Sequence, residues 1–459
     1  MDRKDVVIVG AGLSGLATAL RLSRTHGAVH LIERSMPDRV ARNRNHTHLL
    51  LGQGYLQLLE ILADSPAELA QVRAESIDAC ADFEWITPYG RGPRFASQNR
   101  TLAITNRRLK ELLLGALSKR ANVHLHYGKT ARFARKASSR TGTMPSLIVI
   151  AGERIFEDAL VIDCTAQGPD ANRVFPDLKP SVFDSHMSYT SFWLRPSSET
   201  RPDWKCLVHE STPLNTRSCI CTTEGDLIQM TFARPFDQAP ERNLEALVEF
   251  ASAMGNPQVL GLLQRGEIVS PIEQLKHVGK NSVYGREEIL ARSSDNYFPA
   301  GDALARFNPY FGLGMTFAFL CANQLARALA MPKTEGQRKA AYLRAAYAFI
   351  DENRSLIQRI ERRWAPSPER RATPRKRKWS HAYLDFLWRQ AVVEGHRAYY
   401  LLFLRIFHRL ESPSALLGLG VMLRAFADRW VPTRRMTPRL ETSAGGAQDK
   451  ASYAFKVAN

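Results

Sequence analysis

The first 33 residues combine short apolar runs with a glycine-rich segment, and their order predicts a strand, a loop, a helix and a second strand. Residues 6–9 form a continuous β-branched run, which is typical of a fully buried strand. Leu16 and Leu20, about one turn apart among small alanines, predict a helix. Residues 29–32 predict a second strand, which ends at Glu33. Because a hairpin cannot join parallel strands, the helix is the crossover between them.

Later segments predict a mixed architecture. Residues 48–62 show helical periodicity with a leucine-rich face. From about residue 185 to 280 the texture is mostly that of an antiparallel sheet, inserted between two parts of the first domain. Further helices are predicted at 107–117, 243–254 and 314–330, and further strands at 123–127, 147–150, 159–162, 188–194, 226–232 and 297–300.

The predicted fold class is therefore α/β: a Rossmann-type dinucleotide-binding domain with an inserted, mostly antiparallel substrate-binding sheet and a helical C-terminal region. The predicted boundaries are 1–184 and 281–330 for the dinucleotide-binding domain, 185–280 for the inserted sheet, 331–432 for the helical region and 433–459 for a polar, disordered tail.

The glycine motif GAGLSG joins the first strand to the first helix and predicts a phosphate-binding loop. Gly10 allows the tight turn, Gly12 lets a pyrophosphate approach the backbone, and Gly15 lets helix and strand pack closely. The helix N-terminus adds free N–H groups and a partial positive charge. Glu33, 18 residues after the last glycine, can accept hydrogen bonds from both ribose hydroxyls of an adenosine. The alternative is a glycine turn without a ligand.

A second glycine-rich connection helps to decide between NAD and FAD, which the first motif does not distinguish. Asp302 follows a predicted buried strand, where its carboxylate can hydrogen-bond a ribityl hydroxyl. The amides of residues 312–315 begin an apolar helix, where they can face the pyrimidine edge of a flavin and stabilise a reduced ring. The alternative is an ordinary strand–loop–helix connection. The two connections together favour FAD.

The composition is that of a globular chain with an excess of basic residues. The 459 residues are 44% apolar, and 63 Lys and Arg against 45 Asp and Glu give a net charge of +18. This excess favours acidic partners, such as nucleotide phosphates, an acidic carrier domain, nucleic acid or an anionic membrane, without choosing among them. Six cysteines without a CxxC pair or zinc-finger spacing predict reduced thiols and no metal site. Without a signal-peptide pattern or an apolar run of about 18 residues, we expect a cytoplasmic protein.

The motifs resemble those of the flavoprotein monooxygenases related to aromatic-ring hydroxylases, and in particular the branch that contains polyether-type epoxidases. The resemblance rests on GAGLSG with IER, on FPAGDA and on FNPYFGLGM. The segment HTHLLL at residues 46–51 is similar to the H-x-H-x-L helix of that branch. The resemblance covers about residues 5–65 and 100–330, and the C-terminal part more loosely. Its motifs are specific for FAD and much less so for a substrate.

The resemblance implies contacts along the whole length of FAD. It assigns the pyrophosphate to Gly10, Gly12, Leu13, Ser14 and Gly15, the ribose to Glu33, the adenine to Arg34 and the amides around Ala131, the flavin chain to Arg107 (or Arg108), the ribityl chain to Asp302, and the isoalloxazine ring to Pro309, Gly312, Leu313, Gly314 and Met315. For either arginine of that pair, the alternative is a solvated charge on a helix.

The chain departs from the family pattern in ways that affect the expected function. Thr165 and Ala166 occupy the positions of an Asp-Gly motif that helps both FAD and nicotinamide binding in single-component aromatic hydroxylases. The resemblance implies NAD(P)H as the electron donor, used directly or through a separate flavin reductase, and this departure weighs against direct use. Residues 40–45 replace the Gly-Val-Pro-Gln stretch of the epoxidase branch, and the W-x-W-x-I-P signature of the tryptophan halogenases is missing.

The activity that the resemblance implies is insertion of oxygen from O2 into an apolar biosynthetic intermediate, by hydroxylation or epoxidation through a flavin C4a-hydroperoxide. The flavin supplies this chemistry, so no protein nucleophile is needed. A flavin-linked reductase of prenyl lipid-like substrates and a non-catalytic FAD-containing protein that binds a lipid or a carrier are the alternatives. A flavin halogenase is a more distant one.

Candidate substrate-binding residues come from the predicted inserted sheet. Tyr189, Phe192, Trp193 and Met230 are apolar or aromatic residues that can line a pocket, and core packing is an equally good interpretation. His46 and His48 are candidate proton donors near the flavin, with solvated or capped histidines as the simpler interpretation.

The C-terminal region is basic and aromatic. Residues 354–378 are rich in Lys and Arg, and aromatic segments follow at 383–388 and 399–404. These segments can contact a membrane peripherally, or they can bind an acyl carrier protein. We favour the third interpretation, a helical subdomain that packs its aromatic side chains on the FAD domain. A nucleic-acid partner is not expected, because no nucleic-acid fold surrounds the basic residues.

Overall fold

The computed structural model describes residues 4–36, 46–136, 146–166, 178–364 except 213, 237 and 277, and 379–430. The chain divides into two compact units, Met1–Pro413 and Ser414–Asn459. The second unit contains the helix Leu419–Trp430. Residues 433–459, predicted as a disordered tail, lie outside the described residues, as do residues 40–45 and the greater part of the basic stretch 354–378.

The first unit mixes helices with short strands. Its helices are α1 (Leu13–Leu22), α2 (Gly52–Ile61), α3 (Pro66–Glu75), α4 (Asn106–Leu117), α5 (Leu244–Met254), α6 (Pro257–Arg265), α7 (Arg286–Arg292), α8 (Leu313–Leu329), α9 (Glu335–Trp364), α10 (Trp379–Trp388) and α11 (Arg397–Phe407). Its strands are β1 (Val6–Val9), β2 (Val29–Glu33), β3 (Leu49–Leu50), β4 (Ile77–Asp78), β5 (Phe83–Thr87), β6 (Gly90–Arg91), β7 (Arg100–Ala103), β8 (Val123–Tyr127), β9 (Ala131–Arg135), β10 (Leu147–Ala151), β11 (Arg154–Phe156), β12 (Leu160–Asp163), β13 (Ser181–Asp184), β14 (Ser188–Arg195), β15 (Cys206–His209), β16 (Ser218–Glu224), β17 (Leu227–Arg234), β18 (Glu267–Ile268), β19 (Glu273–Leu275), β20 (Lys280–Val283), β21 (Tyr297–Pro299) and β22 (Ala305–Arg306).

A five-stranded parallel sheet forms the centre of the predicted dinucleotide-binding domain. Its order is β21-β12-β1-β2-β8, and Val6 pairs with Leu160 on one side and with Val29 on the other. All four residues of β1 are buried, as expected for a central parallel strand. Because the strands are parallel, the loops that follow β1, β12 and β21 all leave the same edge of the sheet. The predicted Rossmann-type α/β fold class is confirmed.

An eight-stranded sheet forms the second large layer. Its path is β18-β14-β17-β16-β15-β5-β6, with β19 paired to β14. One side packs on α5 and α6 and forms an apolar core around Phe192, Met230 and Phe250. The sheet is mostly antiparallel, as predicted, but β5 pairs with β15 in parallel. Residues 83–91, which the predicted boundaries assign to the first domain, therefore belong to this sheet.

The predicted helix at 48–62 begins later than expected. Leu49 and Leu50 form β3, which pairs with β7, and the Thr101 hydroxyl donates to the Leu50 carbonyl at 2.6 Å. These strand bonds keep residues before Gly52 out of the helix. The leucine-rich face is otherwise as predicted, because Leu58 and Leu62 are fully buried.

The aromatic side chains of α10 and α11 pack against β5 and β6. Trp388 stacks on Phe403 with 3.8 Å between ring centroids, and its ring also meets Trp85 at 5.4 Å. Tyr400 is fully buried. These contacts agree with a helical subdomain that packs its aromatic side chains, but Trp85 belongs to the eight-stranded sheet and not to the parallel sheet of the FAD domain. Within the described ranges, no helix combines the length and apolar character that crossing a membrane requires.

Candidate functional site

The first glycine loop lies at the edge where the parallel strands end. Gly10 has a φ of +101°, and a Cβ at this position would lie 2.8 Å from the Cys164 carbonyl oxygen, which follows β12. Gly12 caps α1 with extended backbone, and a Cβ there would meet no atom within 4 Å. The open side of Gly12 and the unpaired N–H groups of the first turn of α1 leave room and donors for a pyrophosphate.

The third glycine and the second loop close the same edge. A Cβ on Gly15 would clash with the Gly10 carbonyl oxygen, so helix and strand approach as closely as the motif predicts. Gly301, with a φ of +62°, lies against α1, because a Cβ there would be 2.8 Å from Ser14 Oγ. The structure thus brings together two motifs that are almost 300 residues apart in sequence.

Glu33 lies beside the first glycine loop. Its Oε2 accepts a hydrogen bond from the Ala11 amide at 2.8 Å, and its Oε1 accepts one from the Ser35 amide at 2.9 Å. The Lys129 amide donates to the Glu33 carbonyl at 3.1 Å, so the segment that leads to Ala131 passes the same point. This geometry agrees with an adenosine at this end of the loop, next to the exposed Arg34.

The second loop provides the other end of the site. Asp302 is half-buried, and burial raises the pKa of its carboxyl while Arg306 lowers it. We call residues 307–315 the ring loop. Within it, Gly312 has a φ of +63°, and a Cβ on Gly314 would meet no atom within 4 Å. The ring loop therefore ends in an open helix N-terminus at α8, where Leu313 is buried and Met315 is half-buried.

These features fit FAD. Helices α1 and α8 begin at the capping glycines Gly12 and Gly312. A Cβ would meet open space at Gly12 in the first case and at Gly314 in the second. The carboxylate of Glu33 lies beside the first glycine loop. The carboxylate of Asp302 precedes the ring loop in sequence. Phosphates and a flavin pyrimidine edge are the groups that such N-termini bind best.

The two arginines at the start of α4, Arg107 and Arg108, differ in their contacts and exposure. Arg108 donates to Glu75 at 2.8 Å and to Gln71 at 2.9 Å, which ties it to α3. The Arg107 side chain is 85% exposed and lies 3.7 Å from Glu111. Among the described contacts, Arg107 is the less committed of the two, and the assignment of either to the flavin chain stays a prediction.

Asn308 is a residue of the ring loop, and its hydrogen bonds anchor the loop to neighbouring elements. It is fully buried, and its amide oxygen accepts from the Tyr310 amide at 3.1 Å and from the Tyr189 hydroxyl at 2.9 Å. Its amide nitrogen donates to Glu361 of α9 at 2.7 Å, and its backbone amide donates to Asn281 Oδ1 at 2.8 Å. Sequence reasoning missed Asn308 and Glu361, because nothing in the local pattern links α9 to this loop.

The eight-stranded sheet turns one side toward the ring loop. We call this the loop-facing side; it carries Trp85, Tyr189, Ser191, Glu210 and Thr231. The Tyr189 bond to Asn308 joins it to the ring loop, and Thr231 accepts from the Thr47 amide at 3.0 Å. Trp193 shares this side by strand alternation and is half-buried. Phe192 and Met230 lie on the opposite side, in the core with α5 and α6, which favours their interpretation as packing residues.

Glu210 is a carboxyl group on the loop-facing side that lies next to the ring loop, and sequence reasoning missed it as well. Its Oε1 accepts from the Trp85 indole N–H at 3.0 Å, and no described residue donates to its Oε2. The next residue, Ser211, contacts the Tyr310 hydroxyl of the ring loop at 3.1 Å. Burial raises the pKa of Glu210 to about 7, opposed by the indole hydrogen bond. A carboxyl that changes charge near neutral pH thus lies next to the ring loop.

His46 and His48 lie next to the loop-facing side but are not charged at neutral pH. The His46 ring centroid is 5.0 Å from that of Tyr189, and burial lowers the pKa of His46 to about 3 and that of His48 to about 4. Neither histidine is a ready proton donor on its own. Both Nδ1 atoms are buried without a hydrogen-bond partner among the described residues.

Thr165 lies at the site edge in place of the expected aspartate. Its amide and hydroxyl both bond to Asp163 Oδ1, at 3.0 and 2.7 Å, and the Tyr297 hydroxyl donates to Asp163 Oδ2 at 2.8 Å. Burial raises the pKa of Asp163 despite these bonds. The carboxylate at the end of β12 is thus committed to its neighbours. The segment 167–177 lies outside the described residues.

Solved structures with this fold include several FAD-dependent oxygenases. The chain is 17% identical to PqsL, a probable FAD-dependent monooxygenase from Pseudomonas aeruginosa, over 79% of this chain and 98% of that one, with a TM-score of 0.59. It is 13% identical to the p-nitrophenol 4-monooxygenase PnpA from Pseudomonas putida DLL-E4, over 89% and 99%, with a TM-score of 0.64. The oxygenase of 2-methyl-3-hydroxypyridine-5-carboxylic acid matches at 15% identity over 78% and 90%, with a TM-score of 0.56. At these identities the likeness shows the fold.

No curated protein sequence matches the chain significantly. The DAO model of FAD dependent oxidoreductases matches residues 5–328, which is most of the chain and includes both glycine loops. The flavoprotein resemblance is confirmed at this level, while its polyether-epoxidase branch stays a prediction. The chain therefore belongs to the family of FAD-dependent oxidoreductases.

Proposed function

We propose that this protein is an FAD-dependent monooxygenase that hydroxylates or epoxidises a largely apolar small molecule. One observation carries the proposal: the ring loop is hydrogen-bonded to the loop-facing side of a large sheet, through Tyr189 and Ser211. A ligand on that side would lie against the flavin ring. The fold shared with PqsL, PnpA and the hydroxypyridine carboxylic acid oxygenase supports this interpretation.

The residues of this chain would bind and orient FAD rather than react. The α1 N-terminus at Gly12 would hold the pyrophosphate, Glu33 the ribose and Asp302 the ribityl chain. The amides at Gly314 and Met315 would stabilise negative charge at the pyrimidine edge. Bound FAD supplies the activation of O2. The protein side must keep water out, which the aromatic side chains around the loop-facing side favour.

Glu210 narrows the substrate class. Its open Oε2 can accept a hydrogen bond from a hydroxyl or amino group, so the proposed substrate is apolar with at least one such donor. Trp85 holds the carboxyl in place through Oε1. Above pH 7 the carboxylate can also take a proton from the bound group.

The electron donor is proposed to be NAD(P)H acting through a separate flavin reductase. Thr165 replaces the aspartate that serves nicotinamide binding in the single-component enzymes of the resemblance, and the Asp163 carboxylate is held by Thr165 and Tyr297. An excess of positive charge, +18 in all, suits an acidic partner of this kind or an acyl carrier protein.

The proposal is tested with FAD-loaded protein under labelled O2. The protein, NADPH and a flavin reductase are incubated with an aminobenzoyl compound, a nitrophenol and a hydroxypyridine carboxylate, and with extract of a deletion strain. Mass spectrometry should find one product that carries one labelled oxygen and that forms only with FAD-loaded protein. A reaction that consumes NADPH and gives a reduced product without label would instead establish the reductase of prenyl lipid-like substrates.

A further inference from the structure

The C-terminal helix α9 carries a carboxyl group into the base of the ring loop. Glu361 is 3% exposed and lies in the last turn of α9, beyond the residues that the family model matches. Two side-chain amides donate to it: Asn308 Nδ2 to Oε1 at 2.7 Å, and Asn281 Nδ2 to Oε2 at 3.1 Å. The family fold alone therefore does not complete this part of the site.

The orientation of Asn308 depends on this carboxylate. The Asn308 amide oxygen must face the Tyr310 N–H, because a backbone amide only donates. The amide nitrogen then points to Glu361 and to the Ser185 hydroxyl, 3.1 Å away. A carboxylate is an acceptor only, so it satisfies both Asn308 and Asn281 at once. With a glutamine in its place, the side-chain NH2 group would face the NH2 group of either Asn308 or Asn281, and two donors would meet.

We infer that Glu361, acting through Asn308, is a positioning residue for the ring loop, so that α9 is part of the cofactor site. The chain of contacts is short: Glu361 fixes the Asn308 amide, and Asn308 caps the turn Pro309–Phe311 that leads to Gly312 and α8. The same amide oxygen receives the Tyr189 hydroxyl, which ties the loop-facing side to this point. The inference rests on FAD binding in the proposed function, and not on the oxygen chemistry.

Burial sets the charge of this group near neutral pH. Burial raises the pKa of Glu361 to about 7, with Asp184 adding to the rise and the donors from Asn308, Asn281 and Ser185 opposing it. Tyr189, the other titratable group in contact with this cluster, has its pKa raised well above 10 and stays neutral. Protonation of Glu361 turns one acceptor into a donor, so the ring loop should be best held above pH 7.

The test compares Glu361→Gln with a matched variant at the other end of the same helix. Lys339 is 1% exposed and donates to Ser293 and Ser294, which precede β21 and are not part of the ring loop, so Lys339→Met removes an equally buried anchor of α9. The FAD dissociation constant is measured by flavin fluorescence on apo-protein, together with the flavin absorption spectrum, the reduction potential and the melting temperature of each variant.

For Glu361→Gln we expect FAD binding about tenfold weaker than in the wild type, a shifted flavin spectrum and affinity that no longer falls below pH 7. Lys339→Met should melt at a lower temperature and keep the wild-type spectrum and FAD affinity. Equal FAD affinity, spectrum and pH dependence in Glu361→Gln and wild type would overturn the inference.

A second variant covers the case in which Glu361→Gln does not fold. Glu361→Asp keeps the charge and shortens the side chain by one methylene. It should therefore bind FAD less tightly than the wild type and keep the wild-type pH dependence of FAD binding. An affinity as in the wild type, with the Asn308 contact lengthened, would also overturn the inference. Wild-type protein that binds no FAD would refute the proposed function itself, which separates the two failures.

Discussion

The edge of the parallel sheet and the loop-facing side of the eight-stranded sheet are built in opposite ways. The edge is made of short contiguous segments, and each of its loops carries its glycines within about fifteen residues. The loop-facing side takes alternate residues from β5, β14 and β17 and one from the end of β15, which are up to about 150 residues apart. In the proposed function, the first binds a cofactor of fixed shape and the second binds a substrate.

This difference teaches where specificity can change. A loop that must fit a pyrophosphate tolerates few side chains, since Gly10 and Gly15 have backbone within clash distance. The loop-facing side has no such restriction, because Tyr189, Trp85 and Glu210 are held through hydrogen bonds of their side chains and not by close contacts of the backbone. We expect variants at the edge to abolish FAD binding and variants on the loop-facing side to shift substrate or pH dependence.

The largest effect is expected at Gly12. Gly12→Asp adds a carboxylate in the open space where the pyrophosphate would bind, so FAD affinity should fall about a thousandfold, or ~4 kcal/mol. The backbone at Gly12 is extended, so the apo-protein should keep its melting temperature. Gly15→Ala is the contrasting variant: its Cβ meets the Gly10 carbonyl, and we expect loss of the fold itself. Colour retained in purified Gly12→Asp would contradict the placement of the pyrophosphate.

A large loss of stability without loss of FAD affinity is expected at Trp388. Its ring stacks on Phe403 and meets Trp85 of β5, so Trp388→Ala should lower the free energy of unfolding by about 3 kcal/mol. Denaturant unfolding measures this loss, and FAD titration should give the wild-type value. If stability is unchanged while binding to anionic vesicles is lost, the aromatic segment contacts a membrane instead.

A smaller, pH-dependent effect is expected at Glu210. Glu210→Gln should lower kcat/KM by about tenfold above pH 7 and remove the rise in kcat/KM as pH increases through about 7. FAD affinity should be unchanged, because the side-chain hydrogen bond described for Glu210 goes to Trp85 and not to a glycine loop. The pH–rate profile with the labelled-oxygen assay checks this, and an unaltered profile would place the substrate elsewhere.

The same carboxyl makes a prediction about stability. The folded-state pKa of Glu210, about 7, lies above the ordinary value of 4.5, so the folded protein binds this proton more tightly than the unfolded chain does. Its contribution is therefore fully present below pH 4.5 and is lost as pH rises toward 7. Glu210→Gln should flatten this part of the melting-temperature profile, and a profile with the wild-type slope would argue against a buried carboxyl.

The smallest effect is expected at Tyr189. Tyr189→Phe removes one hydrogen bond to Asn308, worth about 1 kcal/mol, and leaves the ring in contact with His46. FAD affinity should weaken by no more than about fivefold. A change as large as that at Gly12 would show that the two regions are more tightly coupled than their contacts suggest.

Sequence reasoning succeeds at the parallel sheet because its signals are local. The strand, glycine loop and helix at residues 6–22 follow one another directly, and steric limits on Gly10 and Gly15 leave a visible trace. The same holds for α8 and β21. The predicted helix at 48–62 was wrong at its start, because Leu49 and Leu50 pair with β7 some 50 residues away, and such pairing leaves no periodic signal.

The rest of the site depends on contacts at long range. Glu210 reaches the site because β15 pairs with β5 and ends at the ring loop. Glu361 reaches it because α9 returns to Asn308. In sequence, each is one glutamate among many. The pocket residues Phe192 and Met230 show the converse: their type suggests a pocket, while strand alternation places them on the helix-packed side.

The parallel pairing of β5 with β15 also constrains how the chain folds as it is made. Residues 83–87 are synthesised more than 100 residues before their partner Cys206–His209. The strand edge that pairs with this partner therefore stays unpaired during that time. Such distant pairing slows folding and exposes an unpaired edge in the meantime. A nascent chain stopped before residue 206 should therefore bind chaperones more strongly than the full-length chain does.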